Sequence, residues 1–182
     1  RAADEKESEY LASSDNWFRP SMVRTGPDGA IWISDMYRFV IEHPTWIPPE
    51  TQKKLDLRAG DDKGRIYRVY PAGTKPRAVP RLDKLNAKEL VAQLESPNGI
   101  IRDLAHQMLV LYSYKTADKL LETLVKQSAM PQARLHALCA LDGSYQLNEE
   151  TLLIALGDEH PGVRRHAIRL AEKRLEKSPK IS

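Results

Sequence analysis

Residues His160–Leu175 read HPGVRRHAIRLAEKRL, and the order of residues in that stretch decides the fold. A proline marks a turn, an apolar-periodic run follows, and Arg164 stands three residues before Ala167. The same order occurs twice upstream. Pro97 precedes Arg102 and Ala105, and Pro131 precedes Arg134 and Ala137. The three arginines are spaced by 32 and then 30 residues. Ahead of each lies a leucine pair four residues apart: Leu90/Leu94, Leu120/Leu124 and Leu152/Leu156. That spacing belongs to one face of a helix. A unit that recurs at this period is a helix–turn–helix repeat. One helix pair cannot bury its apolar stripe alone, but three stacked pairs bury a continuous core. The small alanines let neighbouring helices approach. Arg102, Arg134 and Arg164 are expected to lie along the turns between units and to bond carbonyls or acids there. At the head of the region, Asn86 with Glu89 three residues on has the form of a capping box.

Upstream of Asn86 the period is that of strands. SMVRT (Ser21–Thr25) and AIWISD (Ala30–Asp35) are rich in β-branched and aromatic residues, and GPDG (Gly26–Gly29) between them is a turn. GRIYRVYP (Gly64–Pro71) alternates and is ended by its proline. A long insertion, roughly 36–63, separates the second strand from the third. The stretch AGTKPRAVPR (Ala72–Arg81) carries one glycine and two prolines, which keep a chain extended. The expected organisation is therefore a small antiparallel β unit over residues 1–72, a linker over 73–84, and three helix pairs stacked as an α-solenoid over 85–182. The fold class is mixed and mainly α.

Charge is unevenly placed along the 182 residues. Residues 1–72 hold 11 basic and 12 acidic side chains, and residues 85–182 hold 13 and 12. The net charge of +3 comes from the connector, with Lys75, Arg77, Arg81 and Lys84 against Asp83. Neither half has the basic surface that nucleic-acid binding demands, so no nucleic acid is expected as a partner. No apolar run approaches the ~18 residues of a membrane span, no signal peptide is present, and no membrane contact is expected from this segment. Cys139 is the single cysteine. It excludes an internal disulfide and a CxxCH haem attachment within these residues, and its place in an apolar pattern points to a buried thiol.

HPGVRRHAIRLAEKRL is similar to the second helix of HEAT and HEAT-like repeats. GPDGAIWISD resembles the blade turn and strand of NHL-type and glucose/sorbosone dehydrogenase-type β-propellers, and GRIYRV resembles the strand that closes a blade. WFRP, DMYR and EHP, followed by GRIYRV and then the repeats, together resemble the membrane-bound dehydrogenase-like, PVC-type haem-binding family of planctomycetes and verrucomicrobia, over about Tyr10 to Lys177. The resemblance implies a segment of a longer, exported, extracytoplasmic protein: the end of a propeller followed by repeats. It implies oxidation of a sugar or polyol, with electrons passed to haem c and a quinone or calcium as further cofactors. None of these is expected to reside in this segment, which alone should be inactive. The other implied partners are the remaining domains of the parent chain, or a separate protein bound by the repeats as a non-catalytic interaction scaffold.

The candidate site is DMYRFVIEHPTWIP (Asp35–Pro48). His43 or Glu42 would accept a proton, since imidazole titrates near neutrality. Arg38 would clamp an anion or carbonyl. Trp46 and Tyr37 would stack on a sugar ring, with Asp35 at the strand end beside them. The alternative is structural: Asp35 caps a turn, Arg38 pairs with Glu42 one helical turn on, and Trp46 plugs the side of the propeller. Asp15, Asn16, Trp17 and Arg19 either line the same rim or supply core. Asp61 and Asp62 suit a hard cation or a turn, and the turn needs fewer ligands. His136 and His166 each follow their repeat's arginine by two residues and are expected to stack on adjacent second helices in structural roles. Arg164, Arg165 and Arg169 form a small basic face beside Glu159 and Glu172.

Overall fold

The computed structural model describes residues 9–175, so the end of the family resemblance at Lys177 lies outside the described residues. The chain divides into two compact units, 1–77 and 78–182, and the division falls within the proline-bearing connector. The fold is mixed α/β and mainly helical.

The first unit is built on a three-stranded antiparallel sheet in the order β1 (Pro20–Thr25), β2 (Ile31–Asp35), β3 (Arg65–Val69). Val23, Ile33 and Tyr67 are paired across it, and a bulge interrupts β1 between Pro20 and Met22. Ile33 is fully buried at the centre, whereas β1 is exposed along its whole length. The β1–β2 turn closes through Gly29 N to Gly26 O at 2.9 Å and Gly26 N to Ala30 O at 2.8 Å. Gly29 has φ +82°, a conformation that costs glycine nothing and other residues a Cβ clash. The insertion is not featureless: a 3-10 turn (Pro44–Trp46) and a one-turn helix α1 (Pro49–Gln52) interrupt it. Gln52 ties these together by donating to Pro44 O and Ile47 O, both at 2.7 Å.

The second unit holds α2 (Ala87–Gln93), α3 (Gly99–Tyr112), α4 (Asp118–Gln127), α5 (Pro131–Gly143), α6 (Glu149–Leu156) and α7 (Pro161–Glu172). Asn86 caps α2 with the reciprocal Asn86–Glu89 bonds of a capping box. Helices α2 and α3, α4 and α5, and α6 and α7 pack as pairs, while α3 touches α5 and α5 touches α7. One continuous core runs from Leu82 and Leu90 through Leu109, Leu121, Leu138 and Leu141 to Leu152 and Leu170. Ala105, Ala137 and Ala167 are all fully buried. A methyl group is the whole side chain there, which leaves room for a neighbouring helix.

The arginines make the same bond three times. Arg102 Nη1 donates to Ser96 O at 2.7 Å, Arg134 Nη1 to Ser128 O at 2.8 Å, and Arg164 Nη1 to Asp158 O at 2.7 Å. In each case the acceptor lies six residues upstream, on the turn that joins the helices of the pair. Arg134 goes further. Its Nε and Nη2 grip the Asp158 carboxylate at 2.7 and 2.8 Å, and Nη2 also reaches Glu159 at 3.2 Å. Arg134 and Asp158 side chains are each only 7% exposed, so this pair is bidentate and nearly dry. Burial pushes the Asp158 carboxyl up, but the bonds from Arg134 and from His160 N outweigh it and hold it below its ordinary 3.8.

Arg134→Ala is expected to cost about 3–5 kcal/mol, because a buried carboxylate is left without its partner. Arg164→Ala, which loses bonds to exposed-turn carbonyls only, should cost about 1–2 kcal/mol. Urea unfolding of both variants measures the difference. The Asp158 contribution is complete above pH 3.8 and is lost as pH falls through the lowered folded value. Unfolding midpoints of the wild type should therefore fall below pH 4 more steeply than those of Arg134→Ala.

Candidate functional site

The 35–46 segment starts from Asp35 at the end of β2. Its side chain is buried, and Oδ1 accepts from Arg19 N at 2.8 Å and from Tyr37 N at 2.9 Å. The nearest cation to Oδ2 is Arg65 Nε at 3.9 Å. Asp35 thus fixes the chain before β1 and the exit from β2, and it does not face an open rim. Tyr37 is held in a left-handed conformation, φ 50°, which costs a non-glycine residue about 1–2 kcal/mol. Its ring lies under the Arg65 guanidinium, 3.6 Å from the centroid, and 5.7 Å from Trp17. Trp17 also stacks on Phe39 at 5.4 Å. A hydrogen bond to Asp15 raises the Tyr37 hydroxyl above its ordinary pKa, so it stays protonated. The Tyr37 ring, offered by the sequence as a face for a sugar, is packed here between Arg65 and Trp17.

Arg38 does not pair with Glu42. Its Nη2 donates to Leu57 O at 3.0 Å, because the insertion folds back: Phe39 N also bonds Ala59 O, and Gly60 at φ +89° leaves room for Tyr37 O where a Cβ would clash. Glu42 accepts from Ile41 N at 3.3 Å, and His43 Nδ1 accepts from Thr45 N at 3.2 Å as the cap of the 3-10 turn. Trp46 is 81% exposed and plugs nothing. Arg38 and Glu42 do line one surface cavity of about 310 Å³ with Met36, Ile41, Leu57 and Arg58. His43 and Trp46 are not among its walls.

Arg19 and Asp61 among the other polar candidates are held locally. Arg19 Nη1 donates to Asn16 O at 2.5 Å, and Asp61 receives Arg58 Nε at 2.9 Å within a turn. Cys139 is half-buried, less than its apolar pattern suggested, and burial pushes its thiol above the ordinary pKa. The neighbour of His136 is His106 on α3, not His166 on α7; the two Nδ1 atoms are 3.1 Å apart.

Sequence reading placed Asp28 in the GPDG turn, bonded back to the backbone, but missed its ties to Trp32 and Arg68. Asp28, buried in the β1–β2 turn, accepts from Ala30 N at 3.1 Å and Trp32 Nε1 at 3.0 Å, and is paired with Arg68 of β3. The cross-strand register that sets Trp32 opposite Arg68 was the available signal. Among the described residues, no group of three or more His, Cys, Asp or Glu is placed to hold a metal ion, and no helix is long and apolar enough to cross a membrane.

A family model described as a domain of unknown function (DUF7133) matches residues 1–73. No curated protein and no solved structure matches the chain.

Asp35→Ala is expected to destabilise the β unit by about 2–3 kcal/mol, since two backbone N–H groups lose one shared acceptor. Glu42→Ala and His43→Ala, both on exposed turns, should stay within about 0.5 kcal/mol of the wild type. Thermal unfolding followed by Trp fluorescence separates the two classes.

Proposed function

We propose that this chain is the end of a propeller-like β domain joined to a HEAT-like solenoid, and that the helical unit works as a protein-interaction scaffold. The observation that carries this reading is an exposed apolar rim on the helical unit. Leu111 is 78% exposed, Tyr112 63% and Tyr145 94%. They stand at the C-terminal ends of α3 and just beyond α5, helices that pack side by side. Large side chains of this kind, presented by neighbouring repeats, favour a partner that offers apolar groups of its own. The recurring arginine bonds support the HEAT-like part, because each repeat fixes its turn in the same way. The ties on Asp35, Tyr37, Arg38 and His43 support a β unit that holds its loop for shape rather than for chemistry.

One observation favours a second reading, in which the segment belongs to an extracytoplasmic sugar or polyol dehydrogenase. Arg38 and Glu42 share a cavity that a carbohydrate hydroxyl fits. On that reading the cavity binds and orients substrate. Haem c does not fit this chain, since the lone Cys139 cannot provide a CxxCH attachment. Calcium does not fit at Asp61–Asp62, where Arg58 already occupies Asp61. Haem, quinone and calcium then belong to other parts of a longer protein.

Affinity purification with three baits tests the scaffold reading. The wild type and Arg38→Ala/Glu42→Gln should retain the same partner proteins, and Leu111→Glu/Tyr112→Glu should lose them about tenfold or more, the effect of one interface anchor. Calorimetric binding of a sugar or polyol that Arg38→Ala/Glu42→Gln abolishes, with no partner lost by the helical variant, would replace it with the second reading.

A further inference from the structure

We propose that His106 and His136 form an acid-sensitive latch between α3 and α5. The two Nδ1 atoms are 3.1 Å apart, and the rings meet edge to face with centroids 5.3 Å apart at 83°. Both rings are partly buried at the contact between two successive second helices.

The contact depends on protonation. Two imidazole nitrogens at this distance need one proton between them: one ring donates and the other accepts. The Asp103 carboxylate lies 3.7 Å from His136 Nε2 and favours a proton on that nitrogen. His136 Nδ1 is then the acceptor and His106 Nδ1–H the donor. When both rings are protonated, two donors and two positive charges face each other in a half-dry seam, and the bond becomes a repulsion.

Asp103 acts on both rings, and His106 and Arg102 act on His136; all three groups are carried by α3. From α7, Arg169 acts on Cys139, one turn further along α5. Asp103 favours the charged form of both rings, and Arg102 opposes it at His136. Burial opposes that form most, and both histidines lie below their ordinary 6.5. The sign follows from linkage: the latch contributes fully above pH 6.5 and is lost as pH falls through the lowered folded values.

The repeats themselves show that the pair is not required for packing. The residue four places after each repeat arginine is His106, Leu138 or Ile168, and the residue two places after is Leu104, His136 or His166. Leucine therefore fits both positions, and Leu138 at the His106-equivalent place is fully buried. The equivalent positions on α5 and α7 are Leu138 and His166, so the His106–His136 pair is particular to the α3–α5 contact.

A double-mutant cycle with His106→Leu, His136→Leu and the double variant tests this, read by urea unfolding of the full chain at pH 8 and pH 5. The latch predicts a favourable coupling at pH 8 that vanishes or changes sign at pH 5. The coupling constant should fall about fivefold, the net worth of one hydrogen bond lost. Imidazole ¹⁵N titration of the wild type, which needs no folded variant, should show both rings titrating below 6.5. A coupling equal at the two pH values overturns the proposal, and so does titration of the pair at or above 6.5.

Discussion

The guanidinium of Arg134 bridges the α4–α5 turn and the α6–α7 turn, among the carbonyl of Ser128 and the carboxylates of Asp158 and Glu159. It bonds its own pair's turn and the next pair's turn with one planar fork. Lysine, a point charge, could not fill both roles. The bond to Ser128 O sets the angle at which α4 passes into α5, and the bonds to Asp158 bring the α6–α7 turn into register with it. Once those turns are aligned, the apolar stripes from Leu121 to Leu170 meet as one core. The charge is tolerated inside because every part of the fork has an oxygen to meet, and stripping one partner would reverse that balance.

The β unit uses charge in a related way. Its sheet is small and its outer strand is exposed, so apolar burial alone holds little. Asp28 anchors the first turn and links it to β3 through Arg68, while Asp35 binds the backbone just before β1 and just after β2. Both carboxylates are buried; Asp28 bonds through both oxygens, and Asp35 hydrogen-bonds through Oδ1 alone. The strained Tyr37 is held by the same set, under Arg65 and beside Trp17.

The difference between the two units explains how much of each was legible in the sequence. Helix pairs announce themselves by spacing, and the Arg-x-x-Ala recurrence places each arginine at a turn because its acceptor is only six residues away. The Asp158 partner of Arg134 lies 24 residues off, and nothing local marks it. Strands and the GPDG turn could also be read directly. The 35–46 loop could not, because its residue types suit catalysis and structure equally. Which one applies depends on where the insertion folds back, and that is decided by Leu57, Ala59 and Gly60, far along the chain from Arg38. His106 and His136 escaped for a similar reason: one stands four residues after its arginine and the other two, so the repeat alignment does not pair them.

The central claim is that arginine-fixed turns make the three helix pairs a single cooperative stack. Hydrogen exchange of the wild type and of Arg134→Met, resolved by peptide, tests it most directly. The account predicts that amides of α4–α5 and of α6–α7 lose protection together in the variant, while those of β1–β3 keep theirs. Loss confined to the first turn of α5, with α6 and α7 protected as before, would contradict it.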